Sequence, residues 1–285
     1  MRIATWNVNS ARARVERIVD FLVRDDIDVL AMQEIKCRDD QFPHERFTAA
    51  GYEVVTHGLN QWNGVAIASR LPIDETAIGF PGMPGFGEPG AKAPAGADPE
   101  GRPLEARAMR ATVDGIEIWS LYVPNGRSLD HDHYRYKLAW LDALRAHTEQ
   151  RLADAPEVPL ALTGDWNVAP TDADMGDPSF GPGSTHVSAP EREAFAAFTR
   201  AGLSDVVRPL VPEGYTFWDY TQLRFPRDEG MRIDFILGSD AFARLVEGAQ
   251  IARDERKGDG PSDHVPVVVD IAGDEDEDDR PMIFG

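Results

Sequence analysis

Short apolar runs alternate with helical periodicities along the whole chain. Runs rich in aliphatic and β-branched side chains predict strands over residues 2–7, 28–33, 64–69, 117–122, 159–163, 232–237, 250–253 and 264–271. Helical spacing predicts helices over 11–24, 132–152 and 190–201. In the second helix Tyr136, Ala139, Trp140, Ala143, Leu144 and His147 recur on one face. The third opens with Ser188 as cap, Pro190 early and Glu191 and Glu193 in the first turn, and stops at Gly202. Strands and helices mixed throughout imply packed α/β or α+β layers. Residues 80–102 break the pattern. They are rich in Gly and Pro and have no periodicity, and strand patterns resume on both sides, so they are expected to form a long surface loop of one domain spanning 1–272. The acidic tail 273–285 is expected to be disordered.

Composition narrows the class. At 285 residues with 42% hydrophobic side chains, the chain can bury a substantial core. No apolar run approaches the ~20 residues of a membrane span. The start turns polar after a few residues, which argues against a signal peptide, and the single cysteine, Cys37, fits a reducing cytoplasm. The formal charge is -20, and only part of the excess lies in the tail. Taken alone, that charge argues against a polyanionic partner.

Polar residues stand where strands end. Apolar strands lead to Asn7 and Asn9, to Glu34, to Tyr122, and to Asp165 with Asn167; Asp263 and His264 precede the last strand. Asp234 lies inside an otherwise apolar run. An acid there is expensive unless paired or ligated, and a single one is usually structural. Four such carboxylates with several amides and a histidine imply a site at one edge of packed sheets. Oxygen donors without cysteine clusters suit Mg²⁺, with Mn²⁺ as a substitute, rather than structural zinc. Such a set suits phosphoester hydrolysis: a cation neutralises charge, a carboxylate deprotonates water, and a histidine held by an aspartate donates to the phosphoryl oxygen. An aspartate–histidine pair alone would also suit a serine hydrolase, but no GxSxG elbow exists and the remaining acids would have no task.

The stretches Trp6-Asn7-Val8-Asn9, Gln33-Glu34-Ile35-Lys36, Tyr122-Val123-Pro124-Asn125, Gly164-Asp165-Trp166-Asn167, Arg232-Ile233-Asp234 and Ser262-Asp263-His264 occur in one order. That order resembles exonuclease III–type enzymes, the apurinic/apyrimidinic (AP) endonuclease branch of the endonuclease/exonuclease/phosphatase superfamily. The resemblance implies a four-layer sandwich, with two packed mixed sheets flanked by helices and the active site at one edge. It implies Glu34 as principal Mg²⁺ ligand, with Asn9, Asp263, Asp165 and Asn167 in the metal environment. Asp165 would activate water with Asn167 beside it. His264 oriented by Asp234, Tyr122, Asn125 and the amide of Asn7 would meet the phosphate.

The implied activity is Mg²⁺-dependent cleavage of duplex DNA 5′ to abasic sites, together with 3′-5′ exonuclease and 3′-phosphodiesterase action on recessed or blocked 3′ ends. The implied protein is a monomer with no membrane partner. Asn9-Ser10-Ala11-Arg12-Ala13 resembles the NG-x-R-A signature of the DNA-repair branch, with Ser10 in place of glycine. The aromatic stretch around Phe217 and Trp218, with Met231 and Ile233, resembles the pocket for a flipped abasic sugar. Arg12, Arg14, Lys36, Arg38, Arg127, Arg224, Arg227, Arg256 and Lys257 could follow the DNA backbone. A phospholipid or small phosphate ester is the alternative substrate. A catalytically dead binding module is disfavoured because every catalytic position is filled.

Overall fold

The structure, a computed structural model, describes residues 1–181 and 183–272; the expected disordered tail lies outside them. Two six-stranded sheets form the middle of the molecule. The first contains β1 (Arg2–Asn7), β2 (Val29–Gln33), β3 (Glu53–His57), β4 (Val65–Ser69), β11 (Val246–Ile251) and β12 (Val267–Ile271), in the order β11-β12-β1-β2-β4-β3. The second contains β5 (Ile73–Ile78), β6 (Ala108–Val113), β7 (Ile116–Tyr122), β8 (Leu160–Asp165), β9 (Leu203–Asp205) and β10 (Asp234–Ser239), in the order β5-β6-β7-β8-β10-β9. The pairs β1–β2 and β7–β8 are parallel and the others antiparallel, so both sheets are mixed.

Ile3, Val29, Ile67, Ile118, Ala161, Ile236 and Val267 fill the space between the sheets. Helices α1 (Ala11–Arg24) and α2 (His44–Ala49) cover the outer face of the first sheet through Phe21, Leu22 and Phe47 against Trp6 and Met32. Helices α3 (Asp132–Asp154) and α4 (Ala189–Arg200) cover the second through Trp140, Leu144 and Phe198. Both faces of the central strands of each sheet are therefore buried, which is why those strands read as nearly unbroken apolar runs. This is the expected four-layer sandwich.

Departures from the expected elements have local causes. Strand 264–271 begins only at Val267 because Pro266 has no N–H for the ladder. The strand expected over 232–237 is β10, starting at Asp234; residues before it instead bond across to the neighbouring loops, as in Trp166 N–H to Ile233 C=O. β11 covers 246–251 rather than 250–253. β3, β5, β6, β9 and α2 were not expected, and β5 is a mostly exposed edge without an apolar run. On α3, Tyr136, Trp140 and Leu144 are buried as predicted, but Ala139 is exposed and Lys137 is fully buried.

The ladders set the site. In β7-β8-β10, Tyr122 is level with Asp165 and Asp165 with Asp234. In the first sheet Asn7 is level with Gln33, which puts Glu34 just beyond the end of β2. Gly164 is obligatory here: a Cβ would stand 1.9 Å from Leu121 C=O in the adjacent strand. Beneath this edge Gln33 Nε2 donates to Ser120 Oγ (3.0 Å) and Thr5 Oγ1 (3.1 Å), pinning one sheet to the other.

Candidate active site

Strand ends from both sheets deliver their polar residues to one edge. Asn7 joins them. Its Nδ2 donates to Glu34 Oε1 (2.9 Å) in the first sheet and to Asp165 Oδ2 (2.9 Å) in the second. His264 Nδ1 lies 2.9 Å from Asp234 Oδ2, and its Nε2 lies 3.7 Å from Asp165 Oδ2. Asn9, Ser10, Glu34, Lys36 and Asn167 all have positive φ, so backbone strain gathers at this edge. Ser10, at φ 92, takes a conformation that favours glycine; its Oγ caps α1 by accepting from Ala13 N–H.

Electrostatics differ across the site. Burial alone would lower the His264 imidazole, but the Asp234 and Asp165 carboxylates outweigh it and hold it at about 10, so it is a cation at neutral pH. Burial pushes the Asp165 carboxyl up to about 7; His264 opposes this, while Asp234 and Glu34 add to it. For Glu34 burial is overcome by Lys36 and the Asn7 hydrogen bond, and its carboxyl is held below the usual range. Burial and then Glu34 raise the Tyr122 phenol well above 10, so it stays protonated.

Lys36 Nζ stands 2.6 Å from Glu34 Oε2 and donates to Asn9 Oδ1, also at 2.6 Å. Asn9 Nδ2 donates in turn to Asp263 Oδ1 (3.0 Å). A positive charge is therefore already seated among the oxygens of Glu34 and Asn9, beside Asp263, and the donor set suits a hard cation. Asp165, Asp234 and His264 also bring potential ligand atoms within 4.8 Å of one another. There, however, the imidazolium donates to Asp234 and faces Asp165 as a counter-charge, so it is not free to ligate.

Asn167 is placed differently from the expected metal environment. Its N–H donates to Asp165 Oδ1 (2.9 Å) and its Nδ2 to Val123 C=O (2.9 Å), while its Oδ1 faces Asn125 Nδ2 and His186 Nε2. The amide is thus committed to holding the Asp165 loop. Asn125, Arg127 and Arg12 are exposed at the rim. The Phe217 ring is half-buried with its centroid 4.9 Å from that of His264. Trp218 is corrected from contact residue to support: it is fully buried against Phe225 and Tyr215 and offers no surface. Met231 and Ile233 are likewise buried, in a small cluster with Ala169 beneath Phe217. Arg224 and Arg256 also point inward. Arg224 pairs with Asp177 and Glu229, and Arg256 lies over the Tyr220 ring and donates to Trp218 C=O.

A support that sequence reading missed lies behind the site. Lys137 Nζ donates to Asn167 C=O (2.6 Å), Asn125 C=O (3.3 Å) and Glu191 Oε1 (2.5 Å), all buried or nearly so. Only the helix face of Lys137 could have hinted at this. His131 and His133, the chain's His-x-His spacing, do not form a metal pair, because His133 Nδ1 accepts from Gly126 N–H and His131 Nδ1 from His133 N–H. Among the described residues no helix is long and apolar enough to cross a membrane.

The family model for the Endonuclease/Exonuclease/phosphatase family matches residues 4–264. The 3′ phosphatase NExo from Neisseria, solved with a product DNA hairpin, is 34% identical with a TM-score of 0.84, covering 96% of this chain and all of that one. An AP endonuclease from Archaeoglobus fulgidus is 30% identical with a TM-score of 0.81 over the same shares. Exodeoxyribonuclease III of Haemophilus influenzae is 29% identical over 282 residues, 94% of this chain and 98% of its own.

Proposed function

The chain belongs to the endonuclease/exonuclease/phosphatase family, and from that premise we propose that it is a Mg²⁺-dependent DNA-repair phosphodiesterase. Its substrates are duplex DNA with abasic sites, cut on the 5′ side, and recessed or blocked 3′ ends, from which it removes nucleotides or phosphate esters. Residues 1–272 act as one nuclease domain, a monomer working in the cytoplasm.

Glu34, Asn9 and Asp263 would hold the cation, where the Lys36 ammonium now sits between Glu34 and Asn9. When bound, the ion supplies charge neutralisation for a phosphate oxygen and for the leaving alkoxide. Asp165 accepts the proton of the attacking water; its raised pKa, near 7, suits a general base at neutral pH. Asn7 and the Asn167 N–H fix both of its oxygens. His264, kept cationic and oriented by Asp234, donates to the phosphoryl oxygen as charge develops there. Tyr122 and Asn125 complete the phosphate contacts, with Arg127 and Arg12 along the backbone. Phe217 limits the space beside the scissile sugar, with Met231 and Ile233 behind it. The observation that carries the reading is the Asn7 amide, which joins the Glu34 end and the Asp165–His264 end in one cleft.

The net charge of -20 favours a small phosphate ester over DNA, and one assay separates the two. A duplex carrying an abasic site and a hairpin with a 3′ phosphate are incubated with Mg²⁺, with Mn²⁺ and with EDTA, beside an inositol phosphate. Metal-dependent cleavage of the DNAs, lost in Asp165→Asn, supports the proposal. Turnover of the inositol phosphate alone sinks it.

A further inference from the structure

We propose that the Gly/Pro-rich segment 80–102 walls a second nucleic-acid subsite, where an unpaired nucleotide stacks on Trp62 and Lys92 and Arg127 hold its phosphate. The inference rests on the DNA reading above and adds to it a substrate feature: single-stranded DNA adjoining the bond to be cut.

The segment has no helix or strand, yet it is firmly tied. The Asp98 carboxylate, with a fully buried side chain, accepts from Gly85 N–H (2.9 Å), Arg102 N–H (2.8 Å) and Arg102 Nε (2.7 Å). Phe86 packs against the rings of His133 and Tyr136. A Cβ at Gly85 would meet Arg102 C=O at 2.2 Å, so the two arms of the loop touch backbone to backbone. Between this wall and the turn around Trp62 lies a groove of about 400 Å³, lined by Trp62, Lys92, Phe86 and Arg127. That is room for one nucleotide and not for a duplex.

Three observations select the occupant. Trp62 is 65% exposed while the other five tryptophans are buried, which leaves one flat aromatic face open to solvent. Most lysines and arginines of the described residues pair with a carboxylate, but among those residues neither Lys92 nor Arg127 has an acidic partner. The groove's one carboxylate, Glu105, is neutralised by Arg107 (2.7 Å), so the two unpaired cations make it a local anion site in this acidic chain. Finally, the groove adjoins the candidate active site. Lys36 N–H donates to Asn63 C=O (3.0 Å), Arg107 lies 4.8 Å over the Tyr122 ring, and Arg127 is two residues from Asn125. Stacking on an aromatic face and a phosphate on cations is how unpaired nucleotides are held without sequence preference. An acidic peptide would use the cations and leave the indole idle.

The test compares a blunt duplex with the same duplex carrying a short oligothymidylate extension. Anisotropy in EDTA measures binding by the wild type, Trp62→Ala and Lys92→Ala; both side chains are exposed, so both variants should fold. The extension should tighten binding by the wild type. Trp62→Ala should weaken binding to the extended duplex roughly 5- to 100-fold, bringing its affinity toward that for the blunt one. Lys92→Ala should flatten the logarithmic salt dependence by about 0.7. Equal wild-type affinity for both duplexes, or an extension effect that survives both substitutions, overturns the proposal; so does competition by polyglutamate as effective as by oligothymidylate. Cleavage of a duplex carrying an abasic site by the wild type with Mg²⁺ is scored separately and judges the underlying DNA reading.

Discussion

Lys137→Met tests whether the buried cation behind the site holds the two loops that carry Asn125 and Asn167. Its ammonium has three N–H groups and three acceptors, so it is fully satisfied without water. Burial lowers its pKa despite Glu191, which shows how much desolvation the pair absorbs. Methionine fills the volume but removes the charge. Glu191 then keeps the donors of Thr185, His186 and Ser188 but loses its counter-ion, and two backbone carbonyls lose a donor. Stranding one member of a buried pair costs about 3–5 kcal/mol. The donors that Glu191 keeps hold the cost near the middle of that range, so about 4 kcal/mol is expected, a fall in Tm of roughly 7 °C for a chain of 285 residues. Urea unfolding at neutral pH gives the number directly. Glu191→Gln alone should cost a comparable amount by leaving Lys137 stranded, and the double variant should lose clearly less than the two added together. Activity should fall in Lys137→Met even well below its Tm, because the Asn167 backbone positions Asp165. A Lys137→Met protein within about 1 kcal/mol of wild type, or single losses that simply add, would refute the account of this pair.

Other consequences are direct. Glu34→Gln should keep the fold and raise the Mg²⁺ concentration for half-maximal activity roughly tenfold or more; an unshifted metal titration would remove Glu34 from the metal's holders. His264→Asn should cut kcat about 100-fold or more while DNA binding in EDTA persists, and near-normal turnover would dismiss the imidazolium as donor. Burial, then Arg107, lowers His133 to about 4, below its ordinary 6.5. The unfolded chain therefore binds more protons between those values, and stability present above pH 6.5 is lost as pH falls toward 4, by up to about 3 kcal/mol. The stability difference between wild type and His133→Asn should change across that window; a constant difference would contradict it.

Several features were readable because they rest on local rules. The α4 cap is one: Ser188 and Glu191 form a reciprocal capping box where the sequence places them. The apolar strands ending in Asn7, Tyr122 and Asp165 are another, since a strand buried on both faces must carry its polar residues at its end. The edge strand β5 was not readable, because its residues are mostly exposed and mixed in character. The buried role of Lys137 was not readable for a related reason: a helical wheel counts a lysine as solvated unless its partner is known, and Glu191 lies 54 residues away. Trp218 was misjudged in the opposite direction, because an aromatic in a loop beside motif residues reads the same whether its ring faces out or, as here, in toward Phe225.

Order, spacing and residue type along the chain thus determined the layers, the strand ends and the kinds of donor available, since each follows from near neighbours and from hydrophobic period. Tertiary structure alone decided which donors face each other. Asn7 spanning two sheets, the second carboxylate beside His264, and the groove at Trp62 all depend on contacts between distant segments. Those contacts are set by sheet register and by burial, and neither is a property of any one stretch of sequence.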